Sequence, residues 1–136
     1  MITYDRFIHS DYATSHSIDN TPPVAVKESI EKFIETVVRP LENMFGTIAI
    51  NSGYRCLELN SAIRGVPTSD HCKGCAIDFI VPGKSIDDVF WLVRHSDLEW
   101  KQLILERNGC GSRWVHISYD FNVEKQKNQV LELEQK

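Results

Sequence analysis

The chain has 136 residues, 42% of them hydrophobic and 25% charged, an ordinary globular composition that supports one core without a disulfide scaffold. Lys and Arg number 15 against 19 Asp and Glu, for a formal net charge of −4, which argues against a phosphate-binding surface and so against nucleic acid as a partner. The Met1-Ile-Thr-Tyr-Asp5 start lacks the regions of a signal peptide, and no apolar run approaches the roughly 20 residues that span a bilayer. Cytoplasmic synthesis without membrane insertion is therefore expected, with Cys56, Cys72, Cys75 and Cys110 as thiols.

In chain order, residues 1–20 are polar and irregular and read as an arm, with His9 and His16, like His95 further on, structural or solvated, the alternative being that one of the three lines a cleft. Thr21-Pro22-Pro23 marks a helix start, because proline is tolerated in the first turn. Ile30, Phe33, Ile34, Val37, Val38 and Leu41 follow at helical spacing, and Pro40 is expected to kink or end the helix. Thr47–Ile50 reads as a short strand closed by an Asn51-Ser-Gly53 turn, and Leu57–Ile63 as a short helix ended near Gly65 and Pro67.

Ala76–Val81 reads as a strand stopped by Pro82-Gly83, and Ser85 caps a helix running through Val93, with His95 near its end. Gln102–Glu106 and Trp114–Tyr119 read as two strands joined by a hairpin through Asn108–Ser112. The tail, 121–136, reads as a surface helix or a frayed end. Trp91 and Trp100 read as packing residues. Strands and helices mix without regular alternation, so the expected class is α+β, a small antiparallel sheet with flanking helices, in a single domain over 1–136.

Alternate strand residues share a face. Ile77, Phe79 and Val81 are all apolar and belong to the core, which puts Asp78 on the opposite face with Ala76 and Ile80. By the same test Trp114, His116 and Ser118 lie opposite Val115, Ile117 and Tyr119. His71 precedes its strand, and Gly74 lets the chain turn so that His71 approaches Asp78. Two imidazoles and a carboxylate suit Zn2+ with a fourth position open for water, as catalytic sites require; the alternative is a set of satisfied structural groups.

The pattern Ser69-x-His71-x-x-Gly74-x-Ala76-x-Asp78, followed downstream by Trp114-x-His116, resembles the signature of the zinc D,D-peptidase family. These are the D-Ala-D-Ala carboxypeptidases and their relatives, which share a fold with the hedgehog signalling domain. Ser52-Gly-Tyr-Arg55, Glu58-Leu-Asn60 and Gln102-Leu-Ile-Leu-Glu106 extend the resemblance over roughly residues 20–120. So short a chain looks most like the branch common in bacteriophage genomes.

The resemblance implies that His71, Asp78 and His116 bind zinc and that Arg55 lies by the cleft and polarises the substrate carbonyl. It implies a peptidoglycan peptide as substrate, hydrolysis by a monomer, and action on the cell wall after release at lysis. Ser69 binds substrate or caps its loop, and Trp114 walls the cleft. Many family members carry an acid three positions before the last histidine ligand; here that position is Arg113, which cannot act as a base. Glu106 is then the proton acceptor, or else a solvated carboxylate at a strand end.

If no carboxylate reaches the metal, the alternative function is a non-catalytic binding or virion structural module on the same fold. Cys72-Lys-Gly-Cys75 has half the spacing of a four-cysteine zinc site that Cys56 and Cys110 would complete; the other reading makes these small, partly buried fillers of variable positions.

Overall fold

A computed structural model describes residues 1–135. The chain begins with two short helices, α1 (Tyr4–Ile8) and α2 (Asp11–Ser15), started by Thr3 and Ser10, whose hydroxyls accept from the backbone N–H of Arg6 and Ala13. This corrects the reading of 1–20 as an irregular arm. Ile2, Phe7 and Ala13 are buried, and Phe7 packs edge-on against Phe33 at 5.8 Å between ring centres. Side-chain caps nucleate helices too short to show an apolar stripe, and one buried aromatic anchors them.

Helix α3 (Val24–Phe33) follows the prolines, then a wide turn (Ile34–Val38), then α4 (Arg39–Phe45). Pro40 does not end the helix. The turn before it opens so that the Arg39 N–H bonds the carbonyl of Ile34, five residues back. Such a bulge accommodates proline, whose ring and missing N–H disrupt the regular ladder.

Strands β1 (Ala49–Ser52) and β2 (Ala76–Ile80) are antiparallel; between them lie α5 (Leu57–Ala62) and a 3₁₀ turn (Asp70–Lys73). Helix α6 (Ile86–Arg94) starts at Ser85, whose hydroxyl accepts from the Asp88 N–H. Strands β3 (Gln102–Asn108) and β4 (Arg113–Ser118) form the expected hairpin.

The tail is neither a helix nor frayed. It forms β5 (Gln129–Gln135), paired in parallel with β3. Trp100 seats it: its backbone N–H donates to the Asn128 side chain, and its indole N–H donates to the Gln129 carbonyl. The five-stranded sheet, in the order β1-β2-β4-β3-β5, is therefore mixed rather than wholly antiparallel. The class is α+β.

One face of the sheet, with Ile77, Phe79, Leu103, Leu105, Val115 and Ile117, packs under α3, the wide turn, α4 and α6 through Ile30, Phe33, Val38, Leu41, Val89 and Val93. The polar face is the other one. Among the described residues, no helix is long and apolar enough to cross a membrane.

Because Phe7 is fully buried, Phe7→Ala should destabilise the fold by about 3–5 kcal/mol. Urea unfolding measures this, and a loss below about 1 kcal/mol would return the first residues to a peripheral arm.

Candidate metal centre and cleft

The β2–β4 register sets Asp78 directly opposite His116. Both stand on the sheet face turned away from the helices, as strand alternation requires. His71 reaches the same point from the 3₁₀ turn, which Gly74 closes at φ +74°. A side chain at Gly74 would be strained there, and its Cβ would come within 2.5 Å of Ile30 on α3.

The Asp78 Oδ1 atom lies 2.9 Å from His116 Nδ1 and 3.3 Å from His71 Nε2. Among the described residues, His71, Asp78 and His116 are the group of three metal-competent side chains whose ligand atoms all lie within 4.8 Å of one another. The donor set of two imidazoles and one carboxylate, with converging lone pairs, fits a zinc ion that keeps one position open. The cysteines do not join it. All four are free; Cys75 is buried, and burial pushes its thiol up to about 11, away from the thiolate that a metal requires.

The second ring nitrogen of His71 is also engaged. Nδ1 lies 2.7 Å from the Gly53 carbonyl and donates to it, which leaves Nε2 as the unprotonated atom facing Asp78. One further link stitches the turn to the Ser52–Arg55 segment, the Arg55 N–H donating to the His71 carbonyl, while the Tyr54 N–H ties the same segment to α1 by donating to the Phe7 carbonyl. A Cβ at Gly53 would sit 2.2 Å from the Phe7 carbonyl oxygen. The Asn20 side chain closes this lock, donating to the carbonyls of Ile8 and Tyr54 and accepting from the Cys56 N–H. Lys101 pins the turn from the sheet side through a bidentate pair with Asp70 at 3.0 and 2.9 Å.

Arg55 lines a cleft of about 480 Å3 together with Asp78, Asn51 and Ser52. The cleft's other wall comes from the first helices, through Arg6, His9, Asp11 and Tyr12. No spacing signal in the sequence points to those residues, which read there as part of a polar arm. His9 is therefore a cleft residue, bonded to Asp11 at 2.7 Å. The Arg55 Nε is buried without a hydrogen-bond partner, and one terminal nitrogen makes a long 3.4 Å bond to the Ser69 hydroxyl. That hydroxyl also accepts from the His71 N–H, so Ser69 caps its turn.

Glu106 is 6% exposed; it is not a solvated strand end. Its Oε1 lies 3.8 Å from His116 Nδ1, beside the triad. Trp114 pairs with Glu106 across β3 and β4, is half-buried, and does not line the cleft. Arg113 points to α6, where it makes a bidentate pair with Asp87 at 2.8 and 3.1 Å. An odd separation from His116 along one strand puts the two on opposite faces.

Burial holds His71 below the ordinary histidine value and so keeps it neutral. Burial is also the largest influence on Asp78, opposing its charge, but the two imidazoles set against it, with His116 Nδ1 donating a hydrogen bond, outweigh it and hold the carboxyl well below the usual range. Burial, then the Asp78 charge, raises the Glu106 carboxyl above its ordinary value.

These shifts fix a pH dependence for the metal-free protein. The folded His71 value lies below 6.5, so below that pH the unfolded chain takes up a proton that the native chain excludes. Its stabilising contribution, present above pH 6.5, is then lost on acidification at up to about 1.4 kcal/mol per pH unit. Asp78 acts in the same sense at lower pH. With chelator present, urea midpoints should fall from pH 7.5 to pH 5.5; a flat profile would contradict a buried neutral His71.

A search of the curated proteins returns no match. The family model described as Peptidase M15 matches residues 1–118, from before α1 to the end of β4, and so includes the triad, Arg55 and Glu106. On that match the chain belongs to the Peptidase M15 family, the zinc D,D-peptidases that its separated motifs resemble.

Proposed function

We propose that this protein is a zinc-dependent peptidase that hydrolyses peptidoglycan stem peptides, as a D-Ala-D-Ala carboxypeptidase or an endopeptidase. The observation that carries the proposal is Asp78 Oδ1 held 2.9 and 3.3 Å from the imidazoles of His116 and His71, in a residue that also lines the cleft. Family membership supports peptide hydrolysis, and the family's substrate class supports a cell-wall peptide.

His71, Asp78 and His116 would hold the zinc ion, which supplies Lewis acidity toward water and the scissile carbonyl. Gly53 keeps His71 in the tautomer that offers Nε2. Glu106 accepts the proton released as water attacks and passes it to the leaving amine; its raised pKa suits both halves of that task. Arg55 brings a partly desolvated guanidinium to the cleft wall, where it stabilises the developing oxyanion. The polar wall from Arg6 to Tyr12 holds the peptide beside these groups.

A non-catalytic module on the same fold drew its force from Arg113. With Arg113 engaged by Asp87 and Glu106 beside His116, that sequence feature no longer weighs against hydrolysis. In keeping with the family's phage-type members, the protein would be made in the cytoplasm and reach the wall at lysis, acting as a monomer.

Purified peptidoglycan and a stem pentapeptide test the proposal. Zinc-loaded protein should release new amines or D-alanine, chelator should stop the release, and Glu106→Gln should lower kcat by about 10²-fold or more without loss of fold. No product at any pH with a full complement of zinc would sink the enzymatic reading.

A further inference from the structure

We propose that Gln135 is a positioning residue for Glu106, so that β5 completes a catalytic face whose other groups all lie earlier in the chain. The inference rests on the reading of Glu106 as the proton acceptor. It concerns a strand beyond the residues, 1–118, that the family model matches.

The two oxygens of Glu106 have different surroundings. Oε2 accepts a 2.6 Å hydrogen bond from the Gln135 side-chain amide, while Oε1 lies 3.8 Å from His116 Nδ1. Among the described residues, Gln135 is the side chain that donates to this carboxylate. The terminal torsion of a glutamate is broad and nearly two-fold, so an unanchored carboxylate exchanges its oxygens and swings. A donor on one oxygen, strengthened by the charge of its acceptor, removes that freedom. It leaves Oε1 toward the triad and satisfies a buried oxygen that would otherwise lack a partner.

The backbone places Gln135 independently of this bond. The parallel register sets Leu133 beside Glu106 and Gln135 beside Asn108, and the Asn128–Trp100 bonds hold the start of the strand. Gln135 therefore reaches back along β3 from a position that the ladder fixes. Its side chain can be changed while the strand stays in place.

Kinetics on the same stem peptide, with thermal unfolding alongside, test the role. Gln135→Leu and Gln135→Glu should lower kcat about tenfold with KM unmoved and Tm lowered by no more than a few degrees, and Gln135→Lys, which keeps a donor but lowers the carboxyl by its charge, should stay within about threefold of the wild type at its own, more acidic pH optimum. An independent readout is the Gln135 side-chain amide proton in the 15N-labelled chain, which should move upfield on Glu106→Leu. Wild-type kcat in the leucine and glutamate variants would overturn the proposal, as would equal loss in the lysine variant or an unmoved amide signal. An inactive wild type overturns this proposal together with the peptidase reading. An active wild type with an inactive Glu106→Gln and an unimpaired Gln135→Leu overturns this proposal alone.

Discussion

The centre of the molecule is a single carboxylate oxygen, Asp78 Oδ1, shared between two imidazoles. Burying an ionised carboxylate is costly unless it is paired and hydrogen-bonded. The sheet register supplies the donor by setting His116 opposite Asp78, and the turn after Ser69 brings the second imidazole to the same oxygen. Much of the surrounding structure keeps those three groups together. Gly53 receives His71, Lys101 grips the neighbouring Asp70, and Asn20 ties the first residues to the Ser52–Cys56 segment.

This arrangement explains why motifs so far apart in sequence form one unit. The Ser52-Gly-Tyr-Arg55 stretch orients a candidate ligand through the Gly53 carbonyl, packs Tyr54 into the core, and delivers Arg55 to the cleft. The first helices matter for the same reason: the Phe7 carbonyl lies where only glycine fits at position 53, and their polar side walls the cleft.

The candidate triad was legible in the sequence because period-2 alternation and a spaced pattern agreed at Asp78 and His116. Arg113 could have been read the same way, since its odd offset from His116 already assigns it to the other face. Leu131 and Leu133 alternate with Glu132 and Glu134, a strand signal in what read as a helix or frayed end. Its parallel pairing with β3 was not legible, because that pairing depends on Trp100 and Asn128 meeting across the fold. Helices α1 and α2 span five residues each, too few for an apolar stripe, although Thr3 and Ser10 stood as their caps. The Gln135–Glu106 bond follows from the β5 register and was hidden with it.

X-ray absorption at the zinc edge, on protein loaded with one metal equivalent, tests the centre most directly. Two imidazole nitrogens and carboxylate oxygen at about 2.0–2.2 Å, with no sulfur, are the expected first shell. Sulfur scattering near about 2.3 Å would move the metal to the cysteines and contradict the assignment of His71, Asp78 and His116.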